Sequence, residues 1–380
     1  MNWVAYKMLT GDKAKYFGII FGIAFACLLM GQQMSIFCGL MNNTTSQIRD
    51  IEGADLWVMD ANVQFVDDLK PLSDNELYRV RGVPGVAWTA RLYKGLARAR
   101  LENGNFQQVI LLGLDDNNLV GAPREITHGT LADLKKPDAV IMDEAGFRYL
   151  WPKEEFTPGR VVEMNDRRAV IVGLCKASPT FQTFPIVYAR FSQAIAYVPG
   201  ERKVLSFVLA QGEPGLSNHE VCRRITEQTG LQAITREDFR WKTIDYYMKR
   251  TGIPINFGIT VALGFVVGCA IAGQTFYLFT LENLKQFGAL KAMGLGNLRI
   301  IGMILMQAFV VGVIGYGIGI GMAAFFGWAM GAAVKSVPPA FLMPWQVPAL
   351  TAVGVVIIAI LSSLLSIRKV LVLEPAVVFR

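Results

Sequence analysis

Four long stretches without a charged residue punctuate this chain: Tyr16 to Ile48, Thr251 to Leu281, Ile300 to Val334 and Ser336 to Ile367. Each exceeds the roughly 20 apolar residues that carry a helix across a bilayer core. The pattern predicts an α-helical membrane protein with four transmembrane helices, over 16–40, 251–281, 297–334 and 347–368. A large polar insert, 41–250, separates the first two. A short charged segment, 282–296, separates the second and third, a loop over 335–346 the third and fourth, and a tail spans 369–380.

The insert alternates strand-like and helix-like segments. Val58-Met59, Val109 to Leu112, Ala139 to Met142, Ala169 to Val172 and Val204 to Leu209 are β-rich runs. Ser73-Asp74-Asn75-Glu76 has the spacing of a capping box and predicts a helix from there, and a second runs from Ser217 through Ile225. Pro84-Gly85, Pro158-Gly159 and Pro199-Gly200 punctuate the segments. The insert therefore reads as a mixed α+β domain large enough to bury its own core, with 89–189 as an inserted, more β-rich lobe.

Charge gives the orientation. Residues 49–250 hold 27 basic and 27 acidic side chains, so the formal net charge of +7 lies entirely outside the insert. It falls on Lys7 to Lys15, on Glu282 to Arg299, on Lys335 and on the tail. Lysine and arginine near span ends hold a loop in the cytoplasm, whereas long domains cross regardless of charge. Both termini and 282–296 are expected in the cytoplasm, with the insert periplasmic. The basic balance is thus a topology signal, and no nucleic-acid partner is expected. Residues 1–15, with Trp3, Tyr6 and three lysines, read either as a cytoplasmic amphipathic helix on the inner membrane surface or as an untidy start to the first span. No cleaved signal peptide is expected.

Little in the insert suggests catalysis. His128 and His219 are far apart, and neither a His-Glu-x-x-His helix nor a Gly-x-Ser-x-Gly elbow occurs. The pairs Asp67-Asp68, Asp115-Asp116 and Glu154-Glu155 lack calcium-loop spacing, so no metal is expected. Cys175 and Cys222 either bridge or stand as unpaired core thiols. No span carries a central ionisable residue, which argues against an ion-coupled transporter. The spans are instead rich in glycine. Gly264 and Gly268, with Gly312, Gly315 and Gly319, are expected to let helices pack closely within the subunit or across a dimer, and 317/321 and 327/331 repeat the spacing.

The segment between the second and third spans runs from Glu282 to Asn297. Leu284, Phe287, Leu290 and Met293 recur every third residue, with Glu282, Lys285 and Gln286 on a more polar side, and Gly294 and Gly296 stop the helix. Such a helix suits docking on a soluble partner, and equally an ordinary amphipathic connector. The segment resembles the signature of FtsX/MacB-type (type VII) ABC transporter permeases, through Glu282, Phe287, Gly288, Leu290, Lys291, Ala292, Met293 and Gly294. Gln286 and Gln307 stand where acidic residues are usual in that family. The order of one span, a large insert and three spans is similar throughout. Gly53 to Leu56 and the ending Leu373 to Phe379 look most like the DevC branch, whose permeases have no fused ATPase.

The resemblance implies a non-catalytic permease of the bacterial inner membrane, working as a homodimer with a separate ABC ATPase. That partner would bind ATP and Mg; the Gly-x-x-x-x-Gly-Lys-[Ser/Thr] phosphate loop is absent from this chain. The coupling helix, Glu282 to Gly294 with Lys285 in it, would take ATP-driven motion and pass it to the periplasmic domain. For DevC-like members a periplasmic adaptor and a TolC-like outer-membrane channel complete a tripartite efflux assembly. An FtsX-like regulator of a cell-wall hydrolase, a LolC/LolE-like lipoprotein extractor and a membrane-anchored receptor are the alternatives.

Overall fold

The computed structural model describes residues 2–200, 205–333 and 340–372. The ending at 373–379, residues 335–339 of the loop over 335–346 and Val204 lie outside these residues. Two compact units form: one from residues up to 39, 252–332 and from 340 on, the other mainly from 40–251.

In the first unit, helix α1 (Asn2–Gly11) precedes α2 (Lys13–Thr44). After the insert come α9 (Ile253–Glu282), α10 (Leu284–Ala292), α11 (Asn297–Ala333) and α12 (Gln346–Leu371). Helices α2, α9, α11 and α12 are long and apolar enough to cross a membrane. At about 1.5 Å per residue, the 37 residues of α11 exceed the roughly 30 Å hydrocarbon core.

Helix α2 is the hub of this unit, because small residues bring its neighbours close. Gly268 of α9 abuts Ala26, and Gly264 faces Leu29. On the other side, a methyl group at Gly315 of α11 would lie 2.8 Å from Ile23, and one at Gly319 2.5 Å from the Ala24 carbonyl. Gly312 makes ordinary contact with Val355 and Ala359 of α12. The repeats at 317/321 and 327/331 do not work as helix-packing pairs within the subunit. Gly317, Gly321 and Gly331 meet nothing within 4 Å, and Gly327 is covered by the Phe341 ring. A step of two residues turns an α-helix by about 200°, so residues beside Gly315 and Gly319 in the sequence face away from α2.

The second unit holds α3 (Ser46–Asp50), α4 (Asn75–Arg81), α5 (Glu144–Leu150), α6 (Phe191–Ala194), α7 (Asn218–Thr229) and α8 (Arg236–Arg250). Its strands are β1 (Leu56–Met59), β2 (Val86–Arg100), β3 (Phe106–Leu114), β4 (Glu125–His128), β5 (Ala139–Asp143), β6 (Arg160–Met164), β7 (Arg167–Lys176), β8 (Ile186–Arg190), β9 (Phe207–Gly212) and β10 (Gln232–Thr235). They form one mixed sheet in the order β10-β1-β9-β2-β3-β8-β5-β7-β4, with β6 beside β2 and β7.

The region 89–189 is accordingly not a separate lobe. Strand β2 pairs with β9 through Val86–Leu92 and with β3 through Leu92–Arg100, joining both halves of the sheet. One face is continuous, with Trp57, Leu92, Ile110, Ile141, Tyr188 and Phe207 in a single cluster. The opposite face is covered in two patches. Leu56, Val58, Val208 and Ala210 pack with α4 and α7, whereas Val109, Leu111, Val140, Met142 and Val187 pack with Phe147 and Trp151. Alternation with period two sends neighbours such as Trp57 and Val58 to opposite faces, and both faces are buried.

The Ser73–Glu76 capping box does not form. The helix starts at Asn75 without a side-chain cap, and only the Ser73 carbonyl accepts the Glu76 N–H. The carboxylates are taken by arginines, Glu76 by Arg79 and Asp74 by Arg91. Helix α8, which the hydrophobic pattern does not predict, is capped by Thr235, whose hydroxyl accepts the Asp238 N–H. Glu237 and Asp238 in its first turn and Lys249 and Arg250 in its last complement the helix dipole. Cys175 and Cys222 are buried and unbridged.

Candidate coupling site

Helix α10 covers nine residues, shorter than the 282–296 expected, because α9 runs on to Glu282 and α11 starts at Asn297. It stops at Gly294, whose φ of +92° is the left-handed conformation that glycine adopts without a Cβ clash. The Leu295 N–H then reaches the Leu290 carbonyl at 3.1 Å, closing the helix end.

Leu284, Phe287, Leu290 and Met293 do not share one face. A step of three residues falls about 60° short of a turn, so three steps put Met293 opposite Leu284. The inward positions are Leu284, Phe287, Gly288 and Lys291, at i, i+3, i+4 and i+7. Phe287 is fully buried in a cluster with Leu9, Ile300 and Val370. Lys291 donates to the Leu371 carbonyl of α12 at 2.8 Å, satisfying one of the open carbonyls at that helix end. Phe287, Gly288 and Lys291 therefore anchor α10 to the spans and are not themselves free for a partner.

The outward face is Glu282, Lys285, Gln286, Ala289 and Met293, with Leu290 half-buried between. Met293 is 72% exposed, and Leu298, just past the Gly294 stop, is 84% exposed. Two large apolar side chains thus stand free beside one short helix.

Helix α1 forms a second wall, which the hydrophobic pattern did not assign to the site. Its Ala5 and Leu9 are buried, one turn apart, and Trp3, Tyr6 and Lys7 are exposed. Gln307 of α11 is buried and donates to the Ala5 carbonyl at 2.8 Å, where the resemblance would place an acid. A carboxylate there could not donate to a carbonyl unless protonated. Asp12 separates α1 from α2 and accepts the Lys15 N–H at 3.2 Å. The Lys15 ammonium binds Asp12 at 2.6 Å and also pairs with Glu282, tying α1, α2 and the end of α9 together. That ammonium holds the Asp12 carboxyl below its usual range. Between α1 and the α9–α10 turn lies an open cleft of about 500 Å³, lined by Trp3, Lys7, Met8, Asp12, Glu282 and Gln286.

Five of the six carboxylates in the acidic pairs of the insert have structural partners. Asp67 pairs with the buried Lys94 and Asp68 with Lys70; Asp115 accepts the Arg91 N–H, Asp116 binds Ser192, and Glu154 pairs with Arg160. His128 lies against the Phe156 ring, and His219 is 3.5 Å from Asp238.

Residues 257–375 match the family described as FtsX-like permease C-terminal. Over nearly its whole length the chain is similar to an uncharacterized ABC transporter permease of Mycobacterium tuberculosis, 24% identical over 377 residues, covering 95% of this chain and 93% of the relative. It is also similar to one of Mycobacterium bovis, 25% identical over 371 residues, covering 94% and 93%. Among solved structures, the periplasmic region of MacB from Actinobacillus actinomycetemcomitans aligns with a TM-score of 0.40 and 13% identity, covering 51% of this chain and 94% of that one. The extracellular domain of the noncanonic ABC-type transporter YknZ from Gram-positive bacteria aligns at 0.36 and 16%, covering 48% and 98%. The resemblance to FtsX/MacB-type ABC transporter permeases, carried in the sequence by residues 282–294, is borne out by the family match and the long relatives.

Proposed function

We propose that this chain is the membrane subunit of an ABC exporter that transmits motion rather than conducting cargo through its spans. A separate ATPase docks on α10 from the cytoplasm. ATP-driven closure of the ATPase pair displaces α10, and the spans pass that displacement to the domain over 41–250 in the periplasm. The subunit acts as a homodimer, and an adaptor and TolC-like channel complete a tripartite assembly, as for DevC-like permeases.

The observation that carries this reading is the two-sided character of α10. One face is locked to the spans through Phe287 and Lys291, and the other presents Met293, with Leu298 beside it, to no partner within the described residues. A helix fixed to the spans on one face, with an exposed apolar side chain on its otherwise polar free side, can receive force without yielding locally. The test is ATP hydrolysis by the ATPase subunit reconstituted with the full chain in nanodiscs. Met293→Asp is expected to abolish stimulation while leaving thermal unfolding of the permease unchanged. Full stimulation by a properly folded Met293→Asp variant overturns the docking assignment.

A further inference from the structure

A small polar cavity inside the insert brings together two buried side chains whose hydrogen bonds are not met by the protein. It measures about 20 Å³ and is lined by Asn43, Gln47, Asp67, Ile110, Thr180 and Phe181. Gln47 and Thr180 are each 6% exposed. Among the described residues, neither the Gln47 Nε2 nor the Thr180 Oγ1 has a hydrogen-bond partner. A buried amide or hydroxyl in that position forfeits the hydrogen bonds that solvent gives it in the unfolded chain. The polar walls come from three segments distant in sequence. Helix α3 carries Gln47, the connection after β1 carries Asp67, and the β7–β8 connection carries Thr180. Independent contacts hold these walls in place. The Ser178 N–H and hydroxyl both donate to the Asp50 carboxylate at 2.7 Å, which ties the β7–β8 connection to α3. Asp67 is paired with the buried Lys94, and Phe181 lies 5.2 Å from the Tyr247 ring. Closing the gap by moving a wall would break these contacts.

We propose that this cavity is a built site for one water molecule, shared by Gln47, Thr180 and Asp67. The volume suits a single water, which needs roughly 10–15 Å³ of such space, and is too small for an organic ligand. Chemistry then selects among occupants of that size. The Gln47 Nε2 only donates, so it disfavours a cation and calls for an acceptor. The Asp67 carboxylate only accepts, so it disfavours an anion and calls for a donor. Water is neutral and does both. Its oxygen accepts from the Gln47 Nε2, one O–H donates to Asp67, and the other donates to the Thr180 hydroxyl. Three such partners are the usual number for a buried water. The Lys94–Asp67 pair thereby becomes part of a network that reaches α3, at the start of the insert. All of these groups belong to one compact unit, so the site does not depend on how the insert sits on the spans.

The direct test is an experimental structure of the full, unmutated chain at a resolution that shows ordered water. One peak is expected about 2.7–3.2 Å from both the Gln47 amide and the Thr180 hydroxyl. An empty cavity, or Gln47 and Thr180 bonded directly to each other, overturns the proposal. A peak about 2.4 Å from the Asp67 carboxylate, with the Gln47 carbonyl turned inward, identifies a cation and also overturns it. The second test compares unfolding equilibria of the full chain in detergent for Gln47→Leu, Thr180→Val and the double variant, with Thr180→Ser as the hydroxyl-preserving control. Each single variant deprives the same water of a partner, so the two effects are expected to overlap. The shift in the double variant should be about fivefold smaller than the product of the single shifts. Thr180→Ser is expected to match the parent chain within about twofold. Single shifts that multiply without loss show that no shared molecule links the two side chains, and the proposal fails.

Discussion

Phe287 and Met293 stand six residues apart and face opposite surroundings, so the same substitution at each has different consequences. Aspartate at Phe287 puts a charge among Leu9, Ile300 and Val370, and a buried unpaired charge costs several kcal/mol. Phe287→Asp is expected to prevent folding, and Phe287→Ala to cost about 3 kcal/mol in thermal or denaturant unfolding. Met293→Asp changes an exposed position and is expected to cost less than about 0.5 kcal/mol. A variant at Phe287 therefore cannot report on docking, whereas one at Met293 can. Asp143 of β5 shows a different effect at the same scale. It is buried, accepts the Ile186 and Gly146 N–H groups, and burial raises its pKa to about 6. A folded pKa above the unfolded value near 4 means that the folded chain holds the proton more tightly. Its contribution to stability is complete below about pH 4 and is lost as pH rises through about 6. Unfolding of the detergent-solubilised chain should therefore become harder by about 2 kcal/mol between pH 7 and pH 4.5. Asp143→Asn should flatten that slope; an unchanged slope would show that the carboxyl stays ionised despite its burial.

At the scale of elements, what the hydrophobic pattern reveals depends on how a segment is buried. The spans are legible because no charge interrupts them, and the runs at 109–112, 139–142 and 169–172 because every position is apolar, as burial on both faces of a sheet demands. Strand β2 is fifteen residues long and escapes detection, since its buried positions hold Ala90, Lys94, Ala97 and Ala99. Lys94 reaches the core only because Asp67 and the Val66 carbonyl take its ammonium, a partnership no local pattern encodes. Resemblance singled out the segment 282–296, but its facing was not legible, because a three-residue repeat drifts around a helix. Helix α1 was missed as part of the site because its attachment depends on Gln307, some 300 residues away. Glycine spacing likewise gave candidates without direction. Gly319→Leu is expected to force α2 and α11 apart and destabilise the subunit by about 1–3 kcal/mol, while Gly317→Leu, two residues earlier, is accommodated. Unfolding of the two variants in detergent, compared side by side, decides this; equal losses would contradict the assigned faces.

At the scale of the whole molecule, the distribution of charge is the physical basis for the proposed direction of work. The insert is balanced, with 27 charges of each sign, and the flanks of the spans carry the entire excess. A neutral domain of this size has no electrostatic reason to remain on the inner side, whereas lysines clustered at 7–15 and 285–299 are strongly retained there. On this proposed sidedness, four spans return the chain to the side on which it began, so that α1, α10 and the end of α12 would share the compartment in which ATP is available. The mechanism fails if this sidedness is reversed, because an ATPase could not reach α10. Single cysteines at Met293 and at Phe106, both exposed, in a chain whose five native cysteines are replaced, make sidedness measurable. In intact cells an impermeant maleimide is expected to label position 106 and to spare 293. After permeabilisation of the inner membrane both should react. Labelling of 293 in intact cells would place α10 outside and remove the basis for coupling to a cytoplasmic ATPase, whatever the fold of the spans.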